Sequence, residues 1–320
     1  MILIMSDAND ASTADIIMWL RHCKMPYQRI NLEDAYFVDK IELDNGLIEF
    51  IIHNSKQKIE FSKIKSFWYR RGRFNIIMPE IDIKNSAISA QVKHHLKQEI
   101  HDLETFFYSL LDQIPHIGGY ERREMNKTKV VFHASKLGLK IPKSIITHQK
   151  DDILNYFSDT FITKGISQVF IPVIENEGYI TYTELVDISK IPKTFFPSLF
   201  QENIVKEADI RVFYLCGEIY SMAIRSQENT QTNIDFRKYD GFKPNRCVPF
   251  NLPKDIEQKL TDLMKIVNLE TGSIDLILDK NKDFFFLEIN PVGQFSMTSM
   301  PCNYHLESKI AQLLIKFSKL

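Results

Sequence analysis

The sequence predicts an α/β protein with α+β parts, divided into two or three packed units. Apolar segments of strand length alternate with helical segments along the chain, an order typical of sheets covered by helices. The chain has 320 residues, more than one small domain requires. A glycine pair, Gly118-Gly119, interrupts the alternation and predicts a boundary between units.

The first unit is predicted to contain a small open sheet and a long helix. The predicted elements are strands over residues 2–5, 47–53 and 65–69 and helices over residues 13–22 and 88–110. Ser12 is the expected N-cap of the first helix. His94, His95 and His101 fall on the long helix, and we interpret them as part of a solvated face rather than as metal ligands.

The rest of the chain is predicted to form antiparallel strands with three helices. The predicted helices cover residues 127–137, 256–267 and 306–317, and the predicted strands cover residues 161–164, 169–174, 179–186, 210–215, 218–225, 272–278 and 283–288. Residues 175–178 should turn a hairpin. Residues 188–200 are interpreted as a connection with an unusual apolar content.

Composition and charge exclude several classes of function. The formal net charge is −1, which gives no broad field for nucleic acid or for an anionic membrane. No uncharged apolar run reaches the roughly 18 residues of a membrane span. The four cysteines form no CxxC pair, so reduced thiols and a cytoplasmic location are expected.

The strongest chemical signal lies near the end of the chain. Asp275 occupies an apolar strand, and Glu288, Asn290 and Pro291 follow thirteen to sixteen residues later. Residues two apart on a strand face the same side, so Glu288 and Asn290 share a face. If the two strands pair, Asp275 lies beside them. Three hard oxygen ligands would then converge, as Mg²⁺ requires when it also bridges phosphates.

This pattern resembles the C-terminal metal motif of the ATP-grasp superfamily, and the resemblance implies a set of nucleotide ligands. ATP and Mg²⁺ would be the cofactors. The implied ATP ligands are Lys127 or Lys129, with Lys127 favoured, the strand lysine Lys164, the hinge residues Glu202, Asn203 and Ile204, the acid Glu207, and Arg211 facing the phosphates. The loop after Lys164 carries one glycine, Gly165, and this argues against the small-metabolite ligases of the superfamily.

Further stretches resemble the peptide-maturing graspetide, or microviridin-type, ligases, and among them the grasp-with-spasm group. The stretches are Phe67-Trp68-Tyr69-Arg70-Arg71, Phe200-Gln201-Glu202 with Asp209-Ile210-Arg211, Ser226-Gln227 with Asp235-Phe236-Arg237, and residues 287–295 with residues 302–307. The resemblance implies an N-terminal Rossmann-like pre-ATP-grasp domain (1–118), a small central lid domain (119–204) and a C-terminal domain with the metal site (205–320).

The same resemblance implies a reaction on a precursor peptide. An Asp or Glu side chain would be activated as an acyl-phosphate and joined to a Ser or Thr hydroxyl or a Lys amine of the same peptide. Arg225 and Arg237, together with Arg211, are the candidate catalytic residues, the first two as holders of the acceptor carboxylate. The partner would be a peptide with a leader and a core rich in Thr, Asp and Glu. We expect the leader at the 169–186 hairpin and the 188–200 stretch.

Two other functions remain open from the sequence. One is a ligase that adds amino acids to a small or peptide substrate, as the RimK group does. The other is a nucleotide- and peptide-binding module without catalysis. The precursor, the ring pattern and the choice between ester and amide stay open, and so does the oligomeric state, with a homodimer as one alternative.

Overall fold

The structure is a computed structural model that describes residues 1–78, 80, 86–167, 173–174, 177–178, 183–227 and 244–320. The chain divides into two compact units. The first combines Met1–Arg123, Gln294–Ser296 and His305–Leu320, and the second combines Glu124–Gly293 and Met297–Tyr304. No helix in the described part of the chain is long and apolar enough to cross a membrane.

The strands and helices of the described residues are numbered in chain order. The strands are β1 (Ile2–Ser6), β2 (Tyr27–Asn31), β3 (Phe37–Asp44), β4 (Leu47–His53), β5 (Lys58–Glu60), β6 (Ser66–Tyr69), β7 (His116–Ile117), β8 (Ser144–Gln149), β9 (Phe161–Lys164), β10 (Val173–Ile174), β11 (Glu177–Gly178), β12 (Glu184–Leu185), β13 (Thr194–Glu202), β14 (Lys206–Leu215), β15 (Glu218–Arg225), β16 (Arg246–Pro249), β17 (Thr271–Asp279) and β18 (Phe284–Asn290). The helices are α1 (Ala11–His22), α2 (Ser86–Leu111), α3 (Lys127–Lys136), α4 (Lys150–Tyr156), α5 (Lys254–Ile266), α6 (Ser296–Cys302) and α7 (Leu306–Phe317).

A parallel sheet in the order β2-β1-β6-β7 forms the centre of the first unit. Every residue of β1 is buried, as the predicted apolar strand requires. Helix α7 packs against α1, β6 and β7, and Ser66 Oγ donates a hydrogen bond to the Leu314 carbonyl at 3.0 Å. Strands β3, β4 and β5 form a separate antiparallel sheet, of which only β4 was predicted from the sequence.

The N-cap of α1 differs from the prediction. The helix begins at Ala11, and Asp10 rather than Ser12 caps it, because the Asp10 carboxylate accepts a hydrogen bond from Thr13 N at 2.7 Å. Both residue types are good N-caps. Ser12 instead donates its hydroxyl proton to the same carboxylate at 2.8 Å.

Ion pairs between side chains lie at the carboxyl ends of the neighbouring parallel strands β1 and β6. Strand order reverses around β1, and such points are where open α/β sheets bind ligands. Here Arg70, which is 3% exposed, and Arg71 both place Nε 3.3 Å from Asp10 Oδ2. Burial raises the pKa of Asp10, but Arg70 and the hydrogen bonds from Ser12 and Thr13 outweigh burial, so the pKa is lowered. The two arginines are therefore part of a structural salt-bridge cluster.

The long helix α2 confirms the predicted helical pattern. His94, His95 and His101 are exposed on it. Only its C-terminal half enters the core, where Phe107 lies between Phe50 and Phe74 with ring centroids 5.1 and 4.7 Å away. The histidines lie on a solvated face, as expected.

Two antiparallel sheets build the second unit. The smaller has the order β12-β9-β13-β8, and the larger has the order β16-β15-β14-β17-β18. Helix α3 contacts both α5 and β18, and the buried residues of these helices, with Leu260 and Leu263 among them, form one core with the larger sheet. Strand β8, helix α4 and strand β16 were not predicted.

The 188–200 stretch was wrongly interpreted as a connection, because most of it belongs to β13. This strand pairs with both β8 and β9. Its register is irregular between Thr194 and Ser198, where Pro197 can donate no hydrogen bond. Phe200 is buried, whereas Phe196 is 83% exposed, so the apolar content is that of a strand with one covered face.

The predicted hairpin lies partly outside the described residues. Residues 168–172, 175–176 and 179–182, with Tyr182 among them, are outside. In the described part β10 and β11 pair antiparallel, with Val173 opposite Gly178. Strand β12 pairs with β9 instead, with Glu184 opposite Thr163.

Candidate active site

The register of the larger sheet aligns one arginine and two carboxylates across three neighbouring strands. Arg211 on β14 lies opposite Asp275 on β17, and Asp275 lies opposite Glu288 on β18. Directly opposed residues of antiparallel strands project to the same face. Asn290 lies opposite Ser273 and, two residues beyond Glu288, shares that face. The spacing in the sequence predicted this convergence of Asp275, Glu288 and Asn290.

The two carboxylates are already engaged with cations. Arg211 Nη1 donates to both oxygens of Asp275, at 3.0 and 3.1 Å. Lys127 Nζ lies 2.8 Å from Glu288 Oε2, and about a fifth of each of these side chains is exposed. Negative charge is thus concentrated at one place on the sheet, and two cationic side chains balance it.

Local helix geometry distinguishes the two lysines that the sequence left in competition. Asn126 caps α3 by accepting a hydrogen bond from Lys129 N at 2.9 Å, so Lys127 is the first helical residue. Its ammonium reaches Glu288. Lys129 is exposed and is absent from the lining of the neighbouring cavity. The structure therefore favours Lys127.

A tight turn follows strand β18. Asn290 Oδ1 accepts a hydrogen bond from Val292 N at 3.1 Å, and the Asn290 carbonyl accepts one from Gly293 N at 3.1 Å. The backbone at Gly293 lies directly against Ser273, because a Cβ at position 293 would overlap with Ser273 Oγ. The turn fixes the direction of the Asn290 amide next to Glu288.

A cavity of about 250 Å³ lies beside this face. It is lined by Lys127, Thr128 and Val131 of α3, Ser144, Ile145 and Ile146 of β8, Lys164, Gly165 and Ile166, Leu199 and Gln201 of β13, and Leu287 of β18. Two lysines at one side and apolar walls elsewhere suit a molecule with an anionic end and a flat apolar end. The structure thus brings Lys127 and Lys164 together, as the sequence predicted.

The predicted hinge residues have internal partners. Glu202 Oε1 accepts a hydrogen bond from Lys143 N at 2.7 Å, and Asn203 N donates to the Thr160 carbonyl at 3.0 Å. Ile204 lies in the connection between β13 and β14 and is half-buried. Glu207 is exposed and ion-paired with Lys282. None of the four hinge-region candidates lines the cavity.

The structure does not bring Arg225 to the site. Met222 lies opposite Arg211, and strand alternation gives Ile224 the same face and Arg225 the other. Its side chain is exposed. Arg237 lies outside the described residues.

Two polar features of the site were missed in the sequence. Lys206 and Asp209 form a buried ion pair, with Nζ 2.7 and 2.8 Å from the carboxylate oxygens, and Ser226 Oγ donates to the same carboxylate at 2.6 Å. The two-residue spacing from Arg211 could have placed Asp209 on the active face. Gln201 is the second, because it is 4% exposed and still lines the cavity.

Solved structures of ATP-grasp ligases resemble this chain along its whole length. A Chryseobacterium gregarium RiPP-associated ATP-grasp ligase, in complex with ADP and a leader and core peptide, matches with a TM-score of 0.79 and 21% identity, over 99% of this chain and 96% of that one. The macrocyclase MdnC from Microcystis aeruginosa MRC, bound with precursor peptide MdnA, matches with a TM-score of 0.74 and 24% identity, over 98% of this chain and 99% of that one. The ATP-grasp ligase PsnB, complexed with minimal precursor, Mg and ADP, matches with a TM-score of 0.69 and 14% identity, over 100% of this chain and 98% of that one.

These similarities define the class of fold. No family model and no curated protein sequence matches the chain. The chain has the fold of the ATP-grasp ligases, and the solved structures it resembles are ligases and macrocyclases of precursor peptides. The resemblance predicted from the sequence is confirmed at the level of the fold.

The residues present fit a magnesium nucleotide. Two carboxylates and one amide oxygen form a hard-oxygen set of the size Mg²⁺ uses when phosphates complete its coordination. Lys127 and Lys164 both line the cavity and would supply the positive charge that phosphates need. Gln201 Oε1 is buried and has no hydrogen-bond partner among the described residues, so the cavity offers an acceptor that a bound molecule can satisfy.

Proposed function

We propose that this protein is an ATP-dependent ligase that macrocyclises a ribosomally made precursor peptide. It would activate Asp or Glu side chains with ATP and join them to hydroxyls or amines of the same peptide. The observation that carries the proposal is the register that aligns Arg211, Asp275 and Glu288 beside a cavity with two lysines. The peptide ligases and macrocyclases of the same fold support the substrate class.

Charge explains how this arrangement could promote the reaction. A carboxylate must approach a phosphate that repels it, so positive groups have to neutralise both. Asp275, Glu288 and Asn290 would hold Mg²⁺, which would act there as a Lewis acid and offset the negative charge of the phosphates. Lys164 and Lys127 would hold phosphate oxygens as flexible point charges. Arg211, released from Asp275, can reach either a phosphate or the substrate carboxylate with its planar fork of donors.

The remaining parts of the proposal concern position. We propose the three-part division 1–118, 119–204 and 205–320 and a cytoplasmic location. We also propose a leader site that includes the 169–186 hairpin and residues 188–200. Exposed Phe196 and Leu185, 83% and 48% exposed, give that region apolar surface for a peptide. Arg237, outside the described residues, stays a proposed holder of the acceptor carboxylate.

A mass measurement tests the proposed function. The purified protein is incubated with Mg²⁺, ATP and a synthetic peptide that joins a leader to a core rich in Thr, Asp and Glu. We expect loss of one water per bond formed, with matching release of ADP. Attachment of free amino acids to the peptide would instead support an amino-acid-adding ligase. Nucleotide binding without any product, across several precursors, would contradict the proposal.

A further inference from the structure

A cluster of side chains rich in sulfur lies where α6 packs on strands β15 and β16. Its buried members are Met222, Ile224 and Cys302, and the half-buried side chains of Cys247, Met297 and Tyr304 pack against them. All six belong to the second compact unit, and none of them lines the cavity. Four of the six carry sulfur, although the chain has only four cysteines and ten methionines among its 320 residues. Sulfur is thus concentrated here well beyond its share of the sequence.

The sheet register brings the sulfur side chains to one face. Cys247 on β16 lies opposite Ile224 on β15, and Met222, two residues before Ile224, shares that face. Helix α6 carries Met297 near its beginning and Cys302 at its end, and both side chains pack onto this face. Two strands and one helix therefore each contribute sulfur to the same cluster.

Contacts of Tyr304 hold the end of α6 against β15. The Tyr304 hydroxyl donates a hydrogen bond to the Ser221 carbonyl at 2.6 Å, and the Tyr304 ring centroid lies 5.6 Å from that of Tyr220. Tyr304 N also donates to the Ser299 carbonyl at 3.0 Å, within the segment that includes α6. These contacts do not involve sulfur, so the backbone around the cluster is positioned before any ligand arrives.

The two thiols of the cluster are protonated and lie close enough to interact. Burial and, to a smaller extent, the neighbouring Cys247 thiol raise the pKa of Cys302 to about 11. Burial also raises the pKa of Cys247, whose Sγ donates a weak hydrogen bond to the Asn245 carbonyl at 3.7 Å. A metal that binds these thiols takes them as thiolates, so each thiol would release one proton to water.

We propose that this sulfur cluster is a binding site for a soft monovalent metal ion, Cu(I), with the thiolates of Cys247 and Cys302 and the thioether of Met297 as its ligands. Thiolate and thioether sulfur select Cu(I), whereas Mg²⁺ takes hard oxygen ligands. The cluster therefore differs in ligand class from Asp275 and Glu288, and the two sites should not compete for one kind of ion. A bound ion joins α6 to β16 and should stabilise the folded chain.

Competition for Cu(I) with a chromophoric chelator tests the inference without turnover. The measurement is made without oxygen, with a reductant that contains no thiol, on the full chain carrying Cys23→Ser and Cys216→Ser, because these exposed thiols can bind Cu(I) by themselves. We expect one Cu(I) per chain and a higher temperature of thermal unfolding when it is bound. Adding Cys247→Ser or Cys302→Ala should weaken the affinity by at least about a hundredfold, because even the outer partners of metal ligands contribute up to that much.

Two conservative variants separate ligation from packing. Met297→Leu keeps the apolar volume but removes a thioether, so it should weaken Cu(I) binding while the metal-free protein unfolds at a nearly unchanged temperature. Ile224→Val is the matched control, since it disturbs the same cluster without removing sulfur, and it should keep the Cu(I) affinity. Thermal unfolding without metal checks that each variant folds, and Cys247→Ser and Met297→Leu decide the matter if Cys302→Ala does not.

Two results would overturn the inference. One is an unchanged Cu(I) affinity in folded Cys247→Ser and Met297→Leu. The other is Cu(I) binding that disappears once the exposed Cys23 and Cys216 are replaced. Either result would show that the four sulfur side chains only pack together.

Discussion

Lys127 is expected to weaken metal binding when no nucleotide is present, although it should strengthen nucleotide binding. Its ammonium lies 2.8 Å from Glu288 Oε2, where a divalent cation would bring two further positive charges. We expect Lys127→Gln to bind Mn²⁺ more tightly than the wild type in the absence of nucleotide. The same variant should bind ADP more weakly, because a phosphate partner is lost.

The magnitude follows from the burial of the pair. Exposed ion pairs stabilise a folded protein by up to about 1 kcal/mol. The Lys127–Glu288 pair, with about a fifth of each side chain exposed, should be slightly stronger than that. Releasing about 1 to 2 kcal/mol corresponds to a gain of roughly fivefold to thirtyfold in Mn²⁺ affinity.

Electron paramagnetic resonance of free Mn²⁺ measures this affinity directly. Lys129→Gln is the matched control, since it removes the same charge from an exposed position two residues away in α3. Its Mn²⁺ affinity should stay within about twofold of the wild type. Equal or weaker Mn²⁺ binding by Lys127→Gln would show that the ion pair does not compete with the metal, and the reasoning would fail.

Three further predictions concern strand β18, the turn that follows it and the first unit. Glu288→Gln should lower ATP turnover by at least about a hundredfold while the protein still folds, and near-normal turnover by the folded variant would remove Glu288 from the site. Gly293→Ala should destabilise by about 1 to 3 kcal/mol in denaturant unfolding, because its Cβ would meet Ser273 Oγ. Adding Ser273→Gly should restore most of that loss, and a double variant no better than the single one would exclude the clash. The pKa of Asp10 is lowered in the folded protein from its ordinary value of 3.8, so Asp10 stabilises the folded state at pH values above 3.8. This stabilisation should disappear as the pH falls through the lower pKa of the folded state. Asp10→Asn should flatten the acid limb of a stability-against-pH curve, and an unaltered limb would contradict the assignment.

The sequence was most informative where a pattern spans two strands joined by a short turn. Asp275 and Glu288 could be aligned because spacing and alternation determine their faces once the strands pair. It was less informative where pairing is long-range. Strand β13 pairs with β8 and β9, and its exposed Phe196 and interrupting Pro197 disguise it as a connection. Packing of distant strands overrides local preference in such cases.

Side-chain networks were the least predictable part of the site. The sequence singled out Gln201 only as part of a stretch that resembles a family, and its hydrogen bond to Ser144, 57 positions earlier in the chain, depends on the pairing of β13 with β8. The same holds for Lys206, which sits in a stretch that reads as surface and is 5% exposed because Asp209 neutralises it. Arg225 is exposed and lies on a different face of the sheet from Arg211, so its predicted contact with the acceptor carboxylate stays a prediction.

The chain's last helix has a consequence for the order of folding. Helix α7 belongs to the first unit, and its buried side chains Leu306, Ile310 and Leu314 pack in that unit. Burying three such side chains is worth about 5 to 9 kcal/mol, comparable to the whole stability of a typical domain. During synthesis the N-terminal sheet must therefore wait, with an apolar face uncovered, until the second unit has been made. Chaperone dependence and sensitivity to C-terminal truncation should therefore concentrate in the first unit.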